Sequence, residues 1–147
     1  MSHTVGHWLL LFVAMLASGC AGGTTLPDLV PVTGTVTYAG QPLEQGLIIF
    51  EPADPGIGQP ATGRIEAGEF KMLTSVSSPG IVAGSYKVRI ESREQLAEED
   101  RPDLTKEYTP PVLASLIPER YSRFETSELE TDVVAGMGPL RFDLEEE

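Results

Sequence analysis

Apolar and polar residues alternate with a period of two along several short segments of the chain from Val30 onward. The clearest segment is residues 84–92, where Tyr86, Val88 and Ile90 alternate with serine and charged residues. This alternation is typical of an antiparallel strand with one buried face and one solvated face. No segment shows the apolar stripe of an amphipathic helix, so the pattern predicts an all-β domain over residues 30–147.

The same alternation predicts seven strands, separated by glycine and proline. They cover residues 32–38 and 47–52, both arms of a hairpin within residues 61–73, and residues 84–92, 129–134 and 140–145. Gly68 is expected to take a positive φ at the tip of the hairpin. Seven short strands with such turns predict a seven-stranded antiparallel Greek-key β-sandwich of the prealbumin-like or immunoglobulin-like kind.

Residues 92–126 interrupt this pattern as a long irregular insert before the last two strands. Residues 93–107 are highly charged and predict an exposed loop or a short helix, whereas residues 108–124 are apolar but broken by prolines. Tyr108, Tyr121 and Phe124 could line a surface for a partner or ligand. Alternatively, they could cover a sheet edge that would otherwise pair with another sheet, which is the commoner use of such residues.

A separate apolar segment precedes the predicted strands and ends at Cys20, the only cysteine. Leu9 to Ala17 is shorter than the roughly 20 residues that span a bilayer, but its length fits the core of a signal peptide. Ser18 and Gly19 supply the small residues expected before a cleavage site. We therefore expect residues 1–19 to be a signal peptide and residues 20–29 to be a tether.

Residues 16–20, Leu-Ala-Ser-Gly-Cys, resemble the lipobox of bacterial lipoproteins. This resemblance implies that Cys20 is acylated, with palmitate among the acyl chains, and becomes the N-terminus after cleavage. Two or three acyl chains anchor a protein stably. Ala21 follows the cysteine where an aspartate would retain some lipoproteins in the inner membrane. The expected location is thus the bacterial cell envelope, on the outer rather than the inner membrane, facing the periplasm or the cell exterior.

The segments 31–52, 67–72 and 83–90 resemble carboxypeptidase regulatory-like, or transthyretin-like, domains. The order of these segments and of the lipobox resembles small bacterial lipoproteins that carry such a domain, and the likeness covers residues 30–144. It implies the β-sandwich fold. It implies no activity, because one fold can carry many functions.

Charge and residue types narrow the function further. The formal net charge is −12, with 22 acidic and 10 basic residues, which disfavours nucleic acid as a partner. Both histidines and the single tryptophan precede Cys20. Cleavage would therefore leave no histidine for a catalytic triad and no Cys or His ligands for zinc.

Carboxylates are the remaining candidates for chemistry. We interpret Glu94, Glu98, Glu99, Asp100 and Asp103 as a solvated acidic loop rather than as the acid pair of a glycosidase. Glu51 and Asp54 flank a turn without the ligand spacing of a calcium loop. We predict no catalytic residue, no metal site and no cofactor.

The expected function is that of a non-catalytic binding or structural module, anchored to the membrane through acyl chains on Cys20. Its partner would be an envelope protein or a polysaccharide. The alternative is a carrier of small ligands or carbohydrates that uses residues 92–126.

Overall fold

The computed structural model describes residues 28–75, 78–96 and 112–146. These residues form eleven β-strands and one 3₁₀-helix, Glu119–Ser122, and contain no α-helix, so the all-β prediction is confirmed. In chain order the strands are β1 (Leu29–Val30), β2 (Thr33–Tyr38), β3 (Gln41–Pro42), β4 (Gln45–Pro52), β5 (Ala61–Glu66), β6 (Glu69–Ser75), β7 (Ser78–Pro79), β8 (Ile81–Val82), β9 (Gly84–Glu91), β10 (Leu129–Val133) and β11 (Leu140–Leu144).

One long sheet contains nine of these strands. Its main path runs β10-β9-β4-β5-β6-β2-β11, with β3 paired to β2 and β7 paired to β6, while β1 and β8 form a separate pair. The pairs are antiparallel except for β2 and β11, which run parallel with Leu140 opposite Gly34 and Leu144 opposite Tyr38.

The long sheet curls into a half-barrel. Strands β4 and β11 are four positions apart along it, which in a flat sheet would separate them by about 19 Å. The rings of Phe50 on β4 and Phe142 on β11 nevertheless lie 6.2 Å apart between centroids. The two ends of the sheet therefore fold over one shared core.

Aromatic rings fill the centre of this core. The ring of Phe50 lies 5.9 Å from that of Tyr86 and 6.5 Å from that of Phe70, and Phe70 lies 6.1 Å from Phe142. Such tilted and edge-on pairs add to the stabilisation from burial itself. All four rings are at most 7% exposed. Tyr86 and Phe142 occupy inward-facing positions that the alternation along their strands predicts.

The Greek-key sandwich and the count of seven strands are not confirmed. The described residues form eleven strands, and nine of these strands belong to a single curled sheet. The parallel pairing of β2 with β11 also departs from an all-antiparallel sheet. Alternation determines which face a residue takes but does not specify the neighbouring strand, so this pairing was not predictable from it.

Strand β1 includes one residue of the predicted tether. Leu29, assigned to the tether, pairs with Val82 in the β1–β8 ladder, and the side chain of Val30 is 7% exposed. Leu29 is therefore the first strand residue in the part of the chain that the structure describes.

Two hairpin turns share the dipeptide Ala-Gly. In the β2–β3 turn, Ala39 has φ 49° and Gly40 has φ 77°; in the β5–β6 turn, Ala67 has φ 49° and Gly68 has φ 82°. Positive φ at both central residues is the signature of a type I′ turn, which matches the twist of the flanking strands. The expected positive φ of Gly68 is confirmed.

Candidate functional site

The structure separates the residues that the sequence singles out. Cys20 and Tyr108 lie outside the described residues. Tyr121 is 5% exposed and belongs to the core, whereas Phe124 is half-buried. The two described rings take different partners, so they do not form one exposed aromatic surface.

Tyr121 ties the insert to the end of β11. It lies in the 3₁₀-helix Glu119–Ser122, which begins directly after Pro118, and its backbone N–H donates to the Pro118 carbonyl at 3.1 Å. Its hydroxyl accepts hydrogen bonds from the backbone N–H of Glu145 at 3.0 Å and from Arg120 at 2.7 Å. The Arg120 guanidinium also lies 4.7 Å from the centre of the tyrosine ring.

Phe124 meets the other end of the sheet through Arg89 on β9. The guanidinium carbon of Arg89 lies 5.2 Å from the ring centre of Phe124, and its Nη1 donates to the Ser122 carbonyl at 3.2 Å. The same guanidinium forms an ion pair with Glu91. Nearby, the Ser127 hydroxyl donates to the Val88 carbonyl at 2.5 Å.

The described part of the insert therefore spans the gap between β9 and β11, near the two ends of the curled sheet. Its backbone first pairs with β9's extension, where Leu116 donates to the Ser92 carbonyl at 2.8 Å. It then buries Ile117 and Tyr121 in the core. This packing covers apolar surface that the half-barrel would otherwise expose, and it leaves Tyr121 little surface to offer a ligand.

A shallow groove of about 670 Å³ lies on the outer face of β2, β5 and β6. We call it the sheet groove. Lys71 on β6 lies directly opposite Arg64 on β5 and Thr33 on β2, and Glu69 lies directly opposite Glu66 and Thr35. A row of two cations thus runs beside a row of two carboxylates.

The charges of the sheet groove balance each other at the surface. Like charges directly opposite on neighbouring strands are unfavourable. Arg64 approaches Glu66 to 3.8 Å, but both side chains are about three-quarters exposed, so this ion pair adds little stability. Among the described residues no carboxylate lies within ion-pair distance of Lys71. Phe70, Leu73 and Pro139 also line the groove, so it offers a partner both charged and apolar contacts.

Sequence reasoning did not find this groove. Thr33, Thr35, Arg64 and Lys71 alternate with buried residues, so in the sequence they look like ordinary solvated positions of separate strands. Only the register of β2, β5 and β6 shows that like charges meet. The sequence does contain a signal for the paired charges, in Arg64 and Glu66 before the predicted hairpin turn and Glu69 and Lys71 after it. A two-residue turn places Glu66 opposite Glu69 and Arg64 opposite Lys71.

Asp143 clamps the parallel strands β2 and β11 on the same side of the sheet. It accepts a hydrogen bond from the Thr37 hydroxyl at 2.6 Å and two from Arg141 Nε at 3.0 and 3.1 Å. The Thr37 hydrogen bond, followed by that from Arg141, holds the pKa of Asp143 below its usual value. The Thr37 contact joins β2 to β11, and the Arg141 contact lies within β11, so both have a structural role.

The turn at Asp54, which lacks the ligand spacing of a calcium loop, is stabilised by hydrogen bonds between its own residues. Asp54 Oδ1 accepts a hydrogen bond from the Gly56 N–H at 2.8 Å, and its carbonyl accepts one from Ile57 at 3.1 Å. No three His, Cys, Asp or Glu side chains within residues 28–75, 78–96 and 112–146 come together as a metal-binding group. Glu98, Glu99, Asp100 and Asp103 lie outside these ranges.

Comparisons with known proteins identify no relative. No family model matches the chain, and no curated protein or solved structure is significantly similar to it. In the described part of the chain, no helix is long and apolar enough to cross a bilayer. The function therefore has to be inferred from the sequence signals and the surface geometry.

Proposed function

We propose that this protein is an acylated lipoprotein of the bacterial envelope, whose β-domain is a non-catalytic binding or structural module. The observation that carries the proposal is the lipobox-like sequence Leu16 to Cys20, which ends only a short tether before the first strand at Leu29. The absence of histidine and of any other cysteine beyond Cys20 supports the non-catalytic part. Ala21 supports the outer membrane as the location.

For the domain itself we propose the carboxypeptidase regulatory-like, or transthyretin-like, arrangement of a Greek-key sandwich. The segments that carry this resemblance coincide with β2 to β4, with the start of β6 and with β9. An experimental structure would test the proposal. A strand order that is not that of a Greek-key sandwich would contradict it.

We assign partner binding to the sheet groove, with an envelope protein or a polysaccharide as the partner. Paired cations beside paired carboxylates offer directional contacts to polar groups and suppress partners with a mismatched charge pattern. The carrier alternative has less support, because Tyr121 in the insert is buried and its hydroxyl is already hydrogen-bonded.

Substitution of Cys20 tests the anchor. Cys20→Ser should move the protein from the membrane to the soluble fraction, and mass spectrometry of the wild type should find an acylated Cys20 as the first residue. Ala21→Ser is the matched control, because it changes the neighbouring small residue and keeps the thiol. Membrane association of Cys20→Ser at the wild-type level would contradict the proposal.

Charge reversal in the groove tests the binding face. A partner co-purified with the protein from native membranes should be lost, by about tenfold or more, in Lys71→Glu. Lys87→Glu provides the control, because Lys87 is an exposed cation on β9 away from the groove. If both variants retain the partner equally, the sheet groove is not the surface that binds it. A saturable thermal shift with sugars or lipids that requires Tyr121 would instead favour the carrier.

A further inference from the structure

The chain enters the domain at one end of the half-barrel, and we call this the tether end. Leu29 in β1 pairs with Val82, and two residues later Gly84 pairs with Val133, the last residue of β10. Leu140, the first residue of β11, pairs with Gly34 at the start of β2. The turn 134–139 therefore crosses the same end at which the tether arrives.

The loop 53–60 completes the tether end. A Cβ on Gly84 would lie 3.0 Å from the Ile57 side chain, and a Cβ on Gly58 would lie 3.5 Å from the Val82 side chain. Ile57 and Val82 thus pack beside the residues that lead into β9. The loop 53–60, residues 78–84 and the turn 134–139 form one contiguous surface around Leu29.

This surface has an unusual composition for so acidic a protein. Residues 53–60, 78–84 and 134–139 contain no lysine or arginine and a single carboxylate, Asp54. Val134, the first residue of the turn 134–139, is 57% exposed. The acidic residues Glu145 and Glu146, which follow β11, lie at the opposite end of the domain.

The length of the tether limits how far this end can be from the membrane. Residues 21–28 separate Cys20 from Leu29, so the two cannot be more than about 30 Å apart even in a fully extended chain. A flexible chain of this length has an r.m.s. span of about 16 Å. An acylated Cys20 would therefore hold the tether end beside the bilayer.

We infer that the tether end docks on the bilayer that holds the acyl chains of Cys20, with Val134 and the turn 134–139 entering the interface. This inference rests on the proposed lipid anchor. Burial of apolar surface, and not electrostatic attraction, drives the contact, because the three segments above contain no lysine or arginine that would attract anionic lipids. Asp28, Asp54 and Asp132 near the rim would instead be repelled by anionic headgroups, so the occupant is a zwitterionic or neutral lipid surface.

Docking at this end fixes the orientation of the binding face. Thr33, at one end of the sheet groove, lies next to the tether end, while Glu66 and Glu69 flank the β5–β6 turn at the opposite end of their strands. The sheet groove then extends along the side of the domain, away from the membrane, and its opening faces sideways, parallel to the membrane surface. A partner would reach it without displacing lipid.

Tryptophan fluorescence can locate the docked end, because cleavage before Cys20 removes Trp8, the only native tryptophan. The acylated protein, purified from membranes, would be reconstituted into phosphatidylcholine vesicles as Val134→Trp or as Glu44→Trp. Glu44 is exposed and precedes β4, whose eight residues place it about 25 Å from the tether end. Brominated lipid should quench Val134→Trp several-fold more than Glu44→Trp, with a blue shift confined to the former.

The possible failures are distinguishable. If the protein floats with vesicles but both tryptophans are quenched equally, the docking inference is wrong and the anchor stands. If the protein does not float with vesicles, the anchor is wrong, and the docking inference falls with it. Quenching of Val134→Trp that rises when about a third of the lipid is anionic would also overturn the inference, because it would show electrostatic adsorption.

Discussion

Gly34 lies where β2 passes closest to both β11 and the core. A Cβ at this position would lie 2.4 Å from the Leu140 carbonyl oxygen and 2.6 Å from the Phe70 ring. Gly34→Ala should therefore lower the free energy of unfolding by about 1–3 kcal/mol, because neither the backbone nor the buried ring can move freely. Gly138→Ala is the control, because nothing lies within 4 Å of its Cβ position. Urea denaturation of both variants measures the difference, and equal midpoints would contradict the packing.

Asp143 makes a pH-dependent contribution to stability. Hydrogen bonds from Thr37 and Arg141 lower its pKa in the folded state. A carboxyl group of this kind stabilises the fold above its unfolded pKa of about 3.9, and this contribution is lost as the pH falls through the lower folded pKa. Asp143→Asn should therefore destabilise the protein near neutral pH and lose most of its effect in acid. Thermal unfolding against pH tests this, with Glu44→Gln as control; a constant difference would contradict the assignment.

At the scale of single elements, the Ala-Gly turns can be improved. Ala39 and Ala67 both adopt positive φ, which asparagine tolerates better than alanine. Ala39→Asn and Ala67→Asn should each raise the free energy of unfolding by about 0.5–1 kcal/mol. Ala135→Asn should bring no such gain, because Ala135 also precedes a glycine but has no positive φ. Denaturation midpoints check this, and a gain at Ala135 alone would show that the turn type is not the cause.

The described part of the insert packs on the core of the half-barrel through Ile117 and Tyr121. Tyr121→Ala should lower the free energy of unfolding by about 3–5 kcal/mol, as expected for deletion of a buried aromatic ring. Tyr121→Phe should cost only about 1 kcal/mol, since it keeps the ring and loses the hydrogen bonds of the hydroxyl. Val112→Ala, at a side chain that is 97% exposed, should change little. A small effect of Tyr121→Ala would show that the insert does not close the core.

The strands were predictable where each has one buried face. In β9, Tyr86, Val88 and Ile90 are at most 2% exposed, as their alternation indicates. For Tyr121 the sequence leaves open a partner surface or, more commonly, the cover of a sheet edge, because the prolines around it remove any periodicity that would reveal burial. Its true environment depends on the Glu145 backbone, which is distant in sequence.

The candidate site was less predictable than the strands, for a related reason. The sheet groove depends on register, since a shift of one residue between β5 and β6 would separate Arg64 from Lys71. The tether end depends on loops from three parts of the chain, which only the fold brings together. The acylation of Cys20, by contrast, is predicted from a signal that is contiguous in sequence, and it stays a prediction.

Across the whole molecule, charge is distributed unevenly. All charged residues lie beyond Cys20, since the first is Asp28, so removal of a leader would leave the side-chain charge at −12. A net charge of this size destabilises a compact state through self-repulsion. The three segments of the tether end carry only one charged residue, Asp54, so they contribute little to this repulsion around the proposed membrane contact.

Salt should therefore stabilise the protein without regard to the identity of the cation. Raising the ionic strength from about 0.01 to 0.15 M shortens the Debye length from about 30 to 8 Å and should raise the Tm. Calcium and magnesium chloride should act equally at the same ionic strength, because Asp54 already accepts a hydrogen bond within its own turn. Calorimetry in each salt measures this, with Asp54→Asn compared against Glu146→Gln, which removes the same charge elsewhere. A rise in Tm that is specific to calcium and that only Asp54→Asn abolishes would mean that this turn opens to hold the ion. Charge screening would then not be the whole cause of the stabilisation by salt.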